Sequence, residues 1–139
     1  MISFIFSFKL WLRRTIAIMY LGIIAILSLM PAYDLPHITV FANFDKLVHF
    51  SMYFGAAILA CWSMDISRER MKPIYYLLIG VFMYGVLMEI LQRTMHNGRN
   101  FEFKDMIANL TGAIVGIIVY RYLDRKRAEI FEGQIEGRE

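Results

Sequence analysis

The stretch PIYYLLIGVFMYGVLME, running from Pro73 to Glu89, decides the fold. It carries no charge from Pro73 to Met88 and then stops on a carboxylate. An uncharged apolar run of this kind reads as a helix crossing a hydrocarbon core, for which roughly 20 residues suffice. Three similar runs surround it: Thr15–Tyr33, Leu47–Met64 and Met106–Tyr120. Flanking Lys, Arg and carboxylate side chains extend the shorter runs by reaching back to the interface. The chain of 139 residues is 58% hydrophobic and only 19% charged, with a mean hydropathy of +0.50. A soluble helical domain of this size needs a more polar shell than that. The expected fold is all-α: a four-helix transmembrane bundle with helices near residues 12–31, 46–64, 73–92 and 105–123. These helices form one membrane domain over residues 1–123. A charged tail, 124–139, follows; its first part can continue the fourth helix and the rest is expected to fray.

The basic residues suggest an orientation. Lys9, Arg13 and Arg14 precede the first helix, Arg68, Arg70 and Lys72 separate the second from the third, and Arg121, Arg125, Lys126, Arg127 and Arg138 follow the fourth. Only Lys46, Arg93, Arg99 and Lys104 fall on the other side. Positive residues concentrate on the cytoplasmic side of membrane proteins, so both termini and the middle loop are expected there. The basic balance, with a pI near 9.1, is accounted for by topology and anionic lipid, and no nucleic-acid partner is implied. The first apolar run is too long for a typical signal-peptide core of about 7–15 residues and lacks a small-residue cleavage site, so it reads as a retained helix. The single cysteine, Cys61, excludes an intramolecular disulfide and a cysteine-based metal centre. Ile135-Glu136-Gly137-Arg138 reads as a protease-cleavage sequence of the kind used in expression, and no function attaches to it.

Small residues recur at fourfold spacing in two helices, as Ala108, Gly112 and Gly116, and as Ala56 and Ala60. In lipid, apolar burial supplies no association force, and such spacing lets helix backbones approach closely. The pattern is read as packing within the bundle, with homo-oligomerisation an open alternative.

The polar residues gather at the ends expected to face away from the cytoplasm. Asp45, His49 and Tyr53 make one stripe at i, i+4 and i+8, with Lys46 beside it. Glu89 and Gln92 close the third helix, Arg99 lies in the link that follows, and Asp105 and Asn109 open the fourth. His49, Glu89 and Asn109 each lie about one turn, ~5 Å, inside the nearest charged or turn residue. Ionisable groups at such depth are costly unless paired or wet, and by default they mark a site.

In this order, Asp45-Lys46-x-x-His49-Phe50-x-x-Tyr53, Glu89-x-x-Gln92, Gly98-Arg99 and Asp105-x-x-x-Asn109-x-x-Gly112 resemble the VanZ-like family of bacterial membrane proteins. Ser28-Leu29-Met30-Pro31 is similar to the family's usual end of the first helix, and the likeness spans about residues 15–121. Where the family often has a proline before the Gly-Arg pair, this chain has His96-Asn97. The resemblance implies a cell-envelope role, since the namesake is linked to low-level resistance to the glycopeptide teicoplanin.

Three kinds of chemistry fit these residues. In a recognition site, Lys46 and Arg99 hold an anionic lipid headgroup, a lipid-linked envelope intermediate or a lipophilic glycopeptide, while Tyr53, Glu89, Gln92, Asp105 and Asn109 orient it. In a membrane-embedded enzyme acting on such a headgroup, His49 is the general base or nucleophile, and Asp45 or Glu89 orients it. As a metal centre, Asp45, His49, Glu89 and Asp105 offer a hard-ligand set for a divalent cation. Each residue also has a plainer reading. Asp45 and Asp105 suit helix starts, His49 and Asn109 suit interhelical hydrogen bonds, and Glu89 suits an ion pair with Lys46, Arg99 or His49. No phosphate-binding glycine loop, His-Glu-x-x-His pair or nucleophile elbow is present.

Overall fold

The computed structural model describes residues 7–31, 43–64, 71–95 and 102–136. They form four helices: α1 (Leu10–Leu29), α2 (Phe44–Met64), α3 (Met71–Thr94) and α4 (Phe103–Glu136). All four are long and apolar enough to cross a membrane. Among the described residues there is no strand.

The helix ends follow local chemistry. Met30, just past α1, is extended because Pro31 follows it, while its N–H still donates to the Ile26 carbonyl at 2.9 Å. Pro73 sits in the first turn of α3, where an N–H has no intrahelical acceptor. Asn43 enters α2 with a left-handed φ of 66°, and its carbonyl accepts the N–H of Lys46 at 3.1 Å. The tail departs from expectation. α4 continues unbroken to Glu136, so the continuation of the fourth helix expected for the first part of the tail runs well past residue 123. Its 34 residues extend about 50 Å at 1.5 Å each, well beyond a hydrocarbon core. Along this extension Asp124 is buried and meets Arg127 Nη2 at 2.9 Å, one helical turn on.

Polar groups cross the interior while Ile18, Tyr76 and Ile118 point outward, well exposed. That inversion suits a bilayer, where outward apolar side chains cost nothing and buried polar ones tie helices together. Polar ties of this kind hold α1 to its neighbours. Tyr20 donates to the Met52 carbonyl of α2 at 3.2 Å, and Tyr84 of α3 donates to the Leu21 carbonyl at 2.6 Å. Gln92 Nε2 donates to the Ser28 carbonyl at 2.7 Å, satisfying one of the last carbonyls of α1.

The closest helix pair is α2 with α4, which run parallel although α3 lies between them in sequence. Phe50 lies opposite Gly112 and Phe54 opposite Gly116. A Cβ at either glycine would strike the facing backbone carbonyl, so only glycine allows this approach. Gly112 and Gly116 of the small-residue spacing thus pack inside the bundle against α2, where the residue fully buried against Gly116 is Ala57, next to the Ala56 of the sequence pattern. α3 runs antiparallel to both and places Gly85 against Tyr53 and Asn109.

Candidate functional site

The parallel α2–α4 register brings the starts of both helices together at one end of the bundle, and the last turns of α3 close over them. Lys46 on α2 is the first polar node. Its ammonium meets Asp45 Oδ2 at 2.5 Å, Glu102 Oε2 at 2.5 Å and Asp105 Oδ1 at 2.7 Å. The Asp105 contact is an ion pair without hydrogen-bond alignment, whereas the other two are aligned hydrogen bonds. Three carboxylates therefore already meet the charge of Lys46, and Glu89 is not among them.

His49, one turn deeper, is the second node. Its Nδ1 lies 3.1 Å from Asn109 Oδ1 and 3.8 Å from Glu89 Oε1. Its Nε2 faces Asp105 Oδ2 at 3.8 Å. An amide oxygen only accepts, so the hydrogen bond to Asn109 places the proton of neutral His49 on Nδ1. Nε2 then directs a lone pair toward Asp105.

Exposure falls steadily inward. The side chains of Asp45 and Glu102 are 57% and 50% exposed, those of Lys46, His49 and Asp105 are 17%, 14% and 10%, and that of Glu89 is 1%. Asn109 and Tyr53 are equally deep. Tyr53 and Asn109 both rest on Gly85, where an added Cβ would sit 3.0 Å from the Tyr53 ring and 3.2 Å from Asn109 Nδ2. Glycine at position 85 makes room for the floor of this site.

Of the residues singled out in sequence, Asp45, Lys46, His49, Tyr53, Glu89, Asp105 and Asn109 come together here. Gln92 does not; it caps α1. Arg99, with the Asn97-Gly98 turn, lies outside the described residues. Four potential metal ligands were named, and the structure divides them. One donor atom each from His49, Glu89 and Asp105 lie within 4.8 Å of one another, whereas Asp45 groups with Glu102 and Asp105. Glu102 and Gly85 were missed. Glu102 stands three residues before Asp105, the spacing of one helix turn, and that was the available signal. Gly85 stands four residues before Glu89, but a lone glycine in an apolar run does not disclose what rests on it.

These features define a multi-pass α-helical membrane protein with an ionisable cluster at one end of its bundle. The chain belongs to the VanZ/LLP1 family, whose model matches residues 1–124. It is also similar to a Schizosaccharomyces pombe protein described as uncharacterized, with 32% identity over 114 residues. That alignment covers 82% of this chain and 65% of the yeast protein, so the chain spans about two thirds of its curated relative. No solved structure matches it.

Proposed function

We propose that the protein binds the polar headgroup of an anionic membrane amphiphile at the Lys46–His49–Glu89 end of the bundle. The observation that carries this reading is the graded cluster: ionisable groups linked in steps under 4 Å, from a half-exposed rim to a fully buried carboxylate, at the mouth of four apolar helices. Charge at such depth needs a polar occupant or a partner, and the rim gives a headgroup access while acyl chains stay in lipid. Arg99, which falls between α3 and α4 in sequence, is the candidate for the bidentate anion contact, because Lys46 is already engaged. A relative in a eukaryote favours a ligand not confined to bacterial envelopes. A phosphate-bearing lipid, such as a polyprenyl phosphate or an anionic phospholipid, thus ranks ahead of a glycopeptide such as teicoplanin. The basic asymmetry turns this end away from the cytoplasm.

The test is binding of the purified full chain to vesicles containing a polyprenyl phosphate or an anionic phospholipid, with neutral-lipid vesicles and teicoplanin as comparisons. Arg99→Ala is expected to weaken phosphate-lipid binding at least ~10-fold, as loss of a charge-assisted bidentate contact does, and His49→Ala less. Equal binding to neutral and anionic vesicles would refute the reading.

A second reading, headgroup modification, is favoured by His49. Its Nδ1 is fixed by Asn109 and flanked by Glu89, which leaves Nε2 as an oriented base. Under it, mass spectrometry recovers altered lipid with the wild type, and His49→Ala lowers turnover by ~100-fold or more while sparing binding. Lipid recovered unchanged keeps the binding reading.

A further inference from the structure

When the His49 ring is neutral, two acceptors face each other at the centre of this site. With its proton on Nδ1, His49 presents a lone pair from Nε2 to the carboxylate of Asp105, 3.8 Å away. That gap is too long for a hydrogen bond, and two lone pairs do not attract across it. It does suit a cation between them, because metal–nitrogen and metal–oxygen bonds are each about 2.0–2.2 Å. Glu89 completes the set: one oxygen of it, one ring nitrogen of His49 and one oxygen of Asp105 all lie within 4.8 Å of one another.

Tyr53 provides a second, independent sign. Its hydroxyl is buried and has no hydrogen-bond partner among the described residues. The Tyr53 ring packs with the Asn109 amide over Gly85, one helical turn from Glu89 on α3. A buried hydroxyl so placed implies a polar occupant, such as a metal-bound water.

We propose that His49, Glu89 and Asp105 bind one divalent transition cation, Zn²⁺ or Mn²⁺, with an open coordination position for a headgroup phosphate oxygen. The imidazole nitrogen selects against Mg²⁺ and Ca²⁺, which prefer oxygen-only sites, and the absence of a thiolate selects against Cu⁺. Three protein ligands leave room for water or substrate, as in metal centres that act on phosphate esters. The supporting shell is present: Asn109 holds the other ring nitrogen of His49, and Lys46 holds the second oxygen of Asp105. The phosphate clause rests on the headgroup reading above; the metal site does not.

The experiment uses the full chain, purified in detergent, stripped with chelator and titrated with Mn²⁺ or Zn²⁺. One equivalent is expected to bind per chain, with Mg²⁺ and Ca²⁺ failing to displace it at equal concentration. His49→Gln and Glu89→Gln are expected to weaken binding at least ~10-fold while remaining folded by thermal melt and gel filtration, as loss of one of three ligands does. With 15N-labelled histidine, the Mn²⁺ form is expected to show a nitrogen coupling that is lost in His49→Gln. Asp45→Asn and Glu102→Gln are expected to leave affinity within twofold. No stoichiometric binding by the wild type would overturn the proposal, as would loss confined to the Asp45 and Glu102 variants. The two readings fail separately. Lipid binding that survives chelation sinks the metal bridge but leaves headgroup recognition, whereas metal binding without lipid binding does the reverse.

Discussion

The two ends of the bundle handle buried charge in different ways. At the end formed by the start of α1 and the finish of α2, Arg13 is buried and donates to the Trp62 carbonyl at 3.1 Å, with its guanidinium 6.0 Å from the Trp62 ring centre. A cation thus caps the carbonyl terminus of a neighbouring helix and stacks on an aromatic ring, which is the arrangement a helix dipole favours. Farther along α4 at that end, Asp124 meets Arg127 on its own helix. Both buried charges there, Arg13 and Asp124, have a local structural use. At the opposite end, four carboxylates gather around one ammonium and one imidazole, and the deepest of them is almost wholly inaccessible. Helix capping needs no such assembly. The comparison separates charge that holds the bundle together from charge arranged for an occupant.

The largest expected effect breaks the polar end at its backbone. In Gly112→Leu the new side chain meets the Phe50 carbonyl, a backbone atom that cannot step aside. Overpacking usually costs about 1–3 kcal/mol, and here the upper end or more is expected. Thermal melts in detergent check this, and unchanged stability would mean that α2 and α4 are not in this register.

Lys46→Met comes next. It leaves Asp45, Glu102 and Asp105 facing one another without their shared cation. Breaking a buried pair costs about 3–5 kcal/mol, but two of these carboxylates are half exposed and screened, so about 2 kcal/mol is expected. Added salt is expected to recover part of the loss. A loss unaffected by salt would place the three carboxylates away from water.

Arg13→Met sharpens the contrast from the other end. The apolar stem stays and the charge-assisted hydrogen bond goes, so about 1–2 kcal/mol of stability is expected to be lost. Headgroup and metal affinity are expected to stay within twofold of wild type. If they fall as far as in Glu89→Gln, the two ends are not separate devices.

The smallest effect on stability is also the most discriminating. Gly85→Ala gains helix propensity of up to about 1 kcal/mol, while its methyl presses on Tyr53 and Asn109 at 3.0 and 3.2 Å. Net stability is expected to change little while ligand affinity drops severalfold. A stabilised protein with wild-type affinity would put the floor of the site elsewhere.

The site was legible in part because its residues repeat on helical spacings. Asp45, His49 and Tyr53 make a stripe whatever they face, and a carboxylate ending an uncharged run, as Glu89 does, is conspicuous in any membrane helix. What each stripe meets was not legible. Glu89 was expected to pair with Lys46, Arg99 or His49; it lies 3.8 Å from His49, while Lys46 meets three other carboxylates. Gln92 was expected to line the site, yet it ties α3 to the end of α1.

By itself the sequence determined four membrane-length helices and which residues share a face. Those properties depend on local composition and on the 3.6-residue period, which each helix carries alone. Only the tertiary structure decided that α2 and α4 lie in parallel contact, that Glu102 joins Lys46, and that His49 stands between Asp105 and Glu89. Rotation and register between helices are not periodic signals. In lipid, apolar surface does not tell one face from another, so the choice falls to close contacts such as Gly112 on the Phe50 carbonyl and to the buried polar pairs themselves.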